Sequence, residues 1–224
     1  MELTALQIIV LILAWAGYGL LHSLLATLAL KRRAASRWPW APRVYRLAFN
    51  GLAVVLLAPP LYLMHRWQGT PLWQWTGVSL WVANSLAVLA LVGFVLTLKD
   101  YDTAEFLGTR QWRGSERRVE DQESLHISHL HRYVRHPWYF LALVLIWTRQ
   151  MDGAFLVSAL CITAYFIVGS RFEEHKLIQY HGDAYREYMQ RVPGIVPMPG
   201  RFLSTREARI LTKKYRDTSG PGTE

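Results

Sequence analysis

One cysteine, Cys161, is all that the 224 residues contain. That excludes an intramolecular disulfide framework and a cysteine-based metal site. In its apolar surroundings Cys161 reads as a small buried core residue. Charge is missing altogether from residues 5–30, and the chain shows no internal repeat. Acidic residues are scarce, 16 Asp and Glu against 25 Lys and Arg, so the net charge is +9 although 52% of residues are hydrophobic. Basic charge distributed between apolar runs is the pattern of a membrane chain, not of a nucleic-acid binder. The adjacent-histidine boxes of membrane di-iron enzymes are also absent. His129 and His131 stand two apart and do not share a helix face, so no metal is expected.

What is present is a series of apolar spans. The run Leu6 to Leu30 exceeds the roughly 20 residues that cross a bilayer. It lacks the basic leading region and cleavage site of a removable signal peptide, so it is expected to be a retained helix. Further spans are predicted at about 44–65 and 78–98. The apolar region 138–170 would be about 50 Å long as one helix. Its polar break Arg149-Gln150-Met151-Asp152-Gly153 predicts a helical hairpin with a short first arm. The expected fold is therefore all-α, a polytopic integral membrane helical bundle with about five transmembrane helices.

Loop charge orients these spans. Lys31, Arg32, Arg33, Arg37, Arg43 and Arg46 fill the 31–46 loop, whereas the 66–77 loop carries only Arg66. The 99–137 segment and the tail after 170 are again basic. The positive-inside rule predicts an external N-terminus and a cytoplasmic C-terminus. Three parts follow: 1–98 with three transmembrane helices; 99–203 with a cytoplasmic loop, the hairpin and a binding region; and a basic tail, 204–224. Within that tail, 204–216 reads as a surface-lying basic helix, a lid or a membrane dock, and Asp217 to Glu224 is expected to be disordered.

Charged groups at the edge of hydrocarbon are costly and usually have a task there. The densest such group is His131-Arg132-Tyr133-Val134-Arg135-His136-Pro137-Trp138-Tyr139, with Glu173-Glu174 beyond the hairpin. Pro137 suits the first turn of a helix, whose positive end would then face the basic cluster. Arg135 could hold a carboxylate, a glutamate could hold an ammonium, and Tyr139 could offer a hydroxyl or a ring face. Together they would receive an amino-acid zwitterion. The plainer alternatives are an interfacial belt for Arg135, His136 and the aromatics, and a solvated helix end with Glu173 facing Lys176. His22, inside the first span, reads either as an interhelical hydrogen bond or as part of a substrate cavity.

These residues match a known pattern. Tyr133 to Tyr139 resembles the RHPxY signature of the isoprenylcysteine carboxyl methyltransferase-like membrane enzymes. Glu173-Glu174-His175-Lys176-Leu177, then Gly182, Tyr185, Tyr188 and Val192-Pro193, resembles the downstream half of that signature. His22-Ser23-Leu24-Leu25-Ala26 with Lys31, then Arg43 to Leu47 and Asn50, is similar to the NnrU-like and methanethiol S-methyltransferase branch. Phe106 to Gln111 approximates that branch's LFGLRQ-like segment, and Trp147, Thr148 and Met151 fit its hairpin turn. The resemblance spans about residues 15–198.

It implies S-adenosylmethionine bound by the C-terminal half, with Tyr133, Arg135, His136, Pro137, Tyr139, Glu173 and Glu174 in the cofactor motif. Arg135 and His136 would meet the cofactor carboxylate, and Glu173 or Glu174 its ammonium. His22 or His131 is the candidate base for a thiol acceptor. The acceptor would be small or lipophilic, a thiol or a carboxylate, reached from membrane lipid. The same superfamily also contains NAD(P)H-dependent sterol-type reductases and non-catalytic NnrU-like membrane proteins, and both readings stay open at this point.

Overall fold

The computed structural model describes residues 3–100, 104, 107–114 and 127–218. His126, Phe106 and most of the 112–130 segment lie outside the described residues. Helix α1 (Ala5–Ala26) starts at a reciprocal cap. Gln7 N donates to Thr4 Oγ1 at 3.3 Å, and Thr4 N donates to Gln7 Oε1 at 2.9 Å. The charge-free run does not continue as one helix to Leu30. Thr27 is extended (φ −66°, ψ 141°); its hydroxyl donates to Leu24 O and accepts from Leu30 N, so it ends α1 and caps α2 (Leu28–Arg37). A threonine hydroxyl competes with the helix ladder for backbone partners, and here it divides the run.

Helix α3 (Ala41–Arg66) contains Pro59 and Pro60, and α4 (Gly77–Thr97) follows. The hairpin arms are α5 (Pro137–Trp147) and α6 (Gly153–His181). Helices α7 (Asp183–Arg191) and α8 (Thr205–Thr218) complete the chain. Among the described residues, extended pairing is confined to isolated bridges, Trp73 with Met151 and Met198 with Arg201. Helices α1, α3, α4 and α6 are long and apolar enough to cross a membrane. Helix α5, with 11 residues, spans about 17 Å, well short of a hydrocarbon core of about 30 Å. The described residues thus form an all-α, polytopic integral membrane protein with four helices long enough to span and one short apolar arm.

The described residues form two compact units, one within Met1–Asp121 and Leu145–Tyr165, the other within Gln122–Val144 and Phe166–Glu224. In the first unit, Leu11 and Trp15 of α1 and Ala154 of α6 are buried, with Leu57 and Leu63 of α3 packed against them. The hairpin turn is pinned from the 67–76 loop. Leu72 N donates to Met151 O at 2.8 Å, and Asp152 accepts from Phe155 N at 2.9 Å and Gly69 N at 3.4 Å. Gly108 has φ +83°, and a Cβ there would lie 2.9 Å from Leu47 N. Only glycine lets the turn Thr109–Trp112 approach α3 so closely. Val54, Val78 and Trp81 are at least 72% exposed, the sheath expected of lipid-facing surface.

The second unit packs Tyr185 and Tyr188 of α7 and Val192 against Leu203, Ala208 and Leu211 of the C-terminal segment. The basic tail is therefore not only surface-lying, because α8 buries one face on α7. Ser204 and Glu207 form its cap, with Glu207 N donating to Ser204 Oγ and Ser204 N to Glu207 Oε2. Those bonds and Arg191 draw the Glu207 carboxyl down to about 2. Asp217 and Thr218, expected in a disordered end, belong to α8, and residues 219–224 lie outside the described part.

Candidate functional site: a paired charge cluster at the start of α5

Everything that brings this site together belongs to the second unit. Val134 is buried and precedes Arg135, whose N–H donates to Pro193 O at 2.9 Å; His136 N–H donates to Gly194 O at 3.0 Å. The backbone of 135–136 is thus held along 193–194, and Pro137 opens α5 directly after it. No donor is lost there, because a first-turn N–H has no intrahelical partner in any case.

The Arg135 guanidinium is committed within the protein. Its Nε and Nη2 donate to Glu174 Oε1 at 2.9 and 2.6 Å. Nη1 donates to Met189 O at 3.1 Å and also to Val192 O. His136 joins the same carboxylate, with Nε2 3.1 Å from Glu174 Oε1, and its Nδ1 lies 3.3 Å from Glu173 Oε2. With a carboxylate at each nitrogen, only the doubly protonated ring donates to both. Burial pulls the His136 pKa down, but the hydrogen bonds and charges of Glu173 and Glu174 outweigh it and hold the imidazolium above its ordinary range. Burial, reinforced by the Glu174 charge, pushes the neighbouring Tyr185 phenol far up, so it stays neutral.

Two adjacent glutamates on one helix point about 100° apart, and here that separates them sharply. The Glu174 side chain is 6% exposed and occupied by Arg135 and His136, whereas Glu173 is 48% exposed. Tyr139 OH donates to Glu173 Oε2 at 3.3 Å. Rings stack beneath this carboxylate: His136 on Tyr139 at 5.3 Å between centroids, and Tyr139 on Phe166 at 4.6 Å. Lys176 lies over the Tyr180 ring, not on Glu173. The cluster therefore holds two cations against two carboxylates, and one of the carboxylates is aimed outward by its neighbours.

Tyr133 is apart from the charges; it stacks on Phe202 at 5.9 Å, with the Arg132 guanidinium 5.4 Å from its ring. Arg132 in turn donates to Leu203 O and Thr205 Oγ1, tying the motif to the entry of α8. His131 Nδ1 is 2.8 Å from Ser128 Oγ, and the His131 carbonyl accepts from Tyr188 OH at 2.5 Å. His22 belongs to the first unit, where its Nδ1 lies 2.9 Å from Tyr165 OH among Tyr18 and Phe49. The interhelical hydrogen bond expected of His22 is there.

Sequence reasoning did not single out Tyr165, Ser128 or the carbonyls of Met189 and Val192. The last two had a signal, since Val192-Pro193 belongs to the recurring pattern. A carbonyl acceptor leaves no mark in residue type, and Tyr165 looks like any aromatic in an apolar run. Among the described residues, no three His, Cys, Asp or Glu side chains are grouped as a metal site.

A polytopic membrane protein with a paired ionic cluster at a helix start is the class that fold and site define. The family described as "Protein of unknown function (DUF1295)" matches residues 30–192, and the chain belongs to it. Methanethiol S-methyltransferase 2 of Bradyrhizobium diazoefficiens is 33% identical over 200 residues, 85% of this chain and 73% of that protein. The methanethiol S-methyltransferase of Mycobacterium tuberculosis is 30% identical, covering 82% of this chain and 75% of its own. A Pseudomonas methanethiol S-methyltransferase is 26% identical over 83% and 75% of the two chains. No solved structure matches significantly. With relatives of this kind along most of its length, the chain is a membrane methyltransferase.

Proposed function

We propose that the protein transfers a methyl group from S-adenosylmethionine to a small thiol, as its relatives' names describe for methanethiol. The observation that carries this reading is Glu173, a half-exposed carboxylate oriented by His136 Nδ1 and Tyr139 OH at the start of an apolar helix. Its donor set fits the amino-acid end of such a cofactor. Glu173 would accept from the ammonium, and the positive N-terminal end of α5 would attract the carboxylate. Glu174 is the inner partner, neutralising Arg135 and His136 and fixing both in place. Arg135 therefore acts on the cofactor chiefly by holding the 189–194 strap, and Tyr133, Pro137 and Tyr139 shape the same end of α5. A Cβ on Gly194 would lie 3.4 Å from Arg135 Nη2 and 3.7 Å from Glu174 Oε1, ordinary contact distances that place the strap directly against the cluster.

S-adenosylmethionine supplies a methyl carbon made electrophilic by its sulfonium sulfur. The residues have to bind, orient and exclude water, and positioning alone is worth about 7–11 kcal/mol. Glu173 and the start of α5 would hold the cofactor, which when bound would supply an electrophilic methyl to the acceptor sulfur and leave as a neutral thioether, so the thiol must give up its proton to a nearby base. His22 or His131 takes that proton. His22 Nδ1 lies against Tyr165 OH and His131 Nδ1 against Ser128 Oγ, contacts that would orient either ring. The excess of Lys and Arg in the 31–46 and 99–137 loops and in the tail supports an external N-terminus and a cytoplasmic C-terminus, in a bacterial inner membrane. On this reading residues 1–98 form the membrane anchor, 99–203 the binding region and 204–224 a basic tail.

The test is formation of dimethyl sulfide from methanethiol and S-adenosylmethionine by the purified protein in lipid. Turnover is expected in the wild type and is expected to fall at least tenfold at subsaturating cofactor in Glu173→Gln. Absence of any methylated thiol, in protein that still binds S-adenosylmethionine, would refute the thiol acceptor while leaving the donor intact.

A further inference from the structure

Helix α8 has two faces of different character. Ala208 and Leu211 are buried against Tyr185 and Tyr188, and the helix is tied to α7 by Glu207 with Arg191 and by Lys214 with Glu187 at 3.0 Å. On the side away from that core, Arg206, Arg209, Ile210 and Lys213 are all exposed. Their spacing of three, four and seven residues places them on one stripe. The neighbouring acids, Glu187 and Glu207, are already taken by Lys214 and Arg191. None of the three cations on the stripe makes an ion pair among the described residues.

Apolar surface lies directly before this stripe. Met198 and Phe202 are each 50% exposed, and Ile210 is 56% exposed among the cations. Phe202 is not loose, since its ring stacks on Tyr133, and Arg201 Nη2 donates to Gln190 O at 2.9 Å. The outer face of α8 and the segment that leads into it therefore expose three cations and three large apolar side chains. A soluble acidic partner would satisfy the cations but not the apolar groups. A bilayer of anionic lipid satisfies both, through its phosphate headgroups and its acyl boundary. Such a surface is always at hand for a chain with four membrane spans.

We propose that the outer face of α8, with Met198 and Phe202 before it, is a docking surface for anionic phospholipid. The apolar side chains enter the headgroup boundary, and Arg206, Arg209 and Lys213 meet lipid phosphates. Because the buried face of α8 packs on α7, docking holds the C-terminal unit against the bilayer by its last helix. Each cation near an anionic surface favours binding by roughly fivefold, so the three together give on the order of a hundredfold. The attraction falls off within a Debye length, about 8 Å at physiological salt, and so weakens when salt is raised.

The experiment uses full-length protein in vesicles, with Cys161→Ser as background and a nitroxide label on Ile210→Cys. Vesicles of phosphatidylcholine are compared with the same lipid containing phosphatidylglycerol. The expected result is a several-fold loss of accessibility to a water-soluble nickel chelate and a gain in accessibility to oxygen in the anionic vesicles only. That response is expected to disappear in Arg206→Gln, Arg209→Gln, Lys213→Gln and to weaken in 0.5 M salt. Equal accessibility in both lipids would overturn the proposal, as would an unchanged response in the triple variant. Equal protection by soluble polyglutamate over neutral vesicles would overturn it in favour of an acidic protein partner. None of these readouts depends on methyl transfer.

Discussion

The two units handle polar groups in opposite ways. In the first, polar side chains make scattered, mostly uncharged contacts: His22 and Ser23 both meet Tyr165 OH, Arg149 Nη2 reaches Asn84, Thr148 and the Ala83 carbonyl, and Trp147 Nε1 donates to Thr163. In the second, Arg135, His136, Glu173 and Glu174 condense into a single cluster, reinforced by two backbone carbonyls. An isolated hydrogen bond between membrane helices is worth little, because the separated helices find other partners. A buried ionic cluster carries a large desolvation cost, which is offset only when every charge is matched. The comparison teaches that the first unit is held by packing and lipid, and the second by complete pairing.

The largest effect is therefore expected at Arg135. Arg135→Ala would leave Glu174 buried without its guanidinium and release the 189–194 strap, destabilising the second unit by about 3–5 kcal/mol. Limited proteolysis and hydrogen exchange would locate the loss in residues 127–144 and 166–218. Loss spread evenly through α1 and α3 as well would break the distinction between the units.

Next in size is His136, whose pKa is raised in the folded protein. A raised histidine contributes stability that is fully present below its unfolded value, about 6.5, and that is lost as pH climbs through the folded value. The melting temperature of the wild type should exceed that of His136→Asn most at pH 6 and below, with the gap narrowing toward alkaline pH. A gap that widened with pH would show that the ring is neutral in the cluster. The smallest effect is expected at Tyr165→Phe. Removing the hydroxyl that meets His22 at 2.9 Å and Ser23 at 3.4 Å should cost about 0.6–1.7 kcal/mol in thermal unfolding, since the ring and its packing remain. A loss of several kcal/mol there would mean that the first unit also relies on a polar core.

Much of this was legible in the residue order. The apolar spans, the hairpin break at Arg149-Gln150-Met151-Asp152-Gly153 and the meeting of Arg135 and His136 with the glutamate pair follow from hydropathy and spacing. Other features were hidden for physical reasons. The break at Thr27 does not interrupt hydropathy, because a threonine caps a helix without carrying charge. Which glutamate is buried depends on the rotation of α6 about its axis, and a helix that is apolar all round gives no periodicity from which to read it. The apolar region stops at 170, yet α6 runs on to His181, since Leu177 and Ile178 find partners in the α7–α8 core. That same core explains why the basic tail orders as α8.

The central claim is that the second unit binds S-adenosylmethionine through the outward carboxylate of Glu173. Calorimetric titration of S-adenosylmethionine into the purified protein, beside Glu173→Gln, tests it most directly. The account predicts binding by the wild type and an affinity about 10–100-fold weaker in the variant, the cost of one charge-assisted hydrogen bond, with an unchanged melting temperature. Equal affinity in the two proteins, both folded, would contradict it.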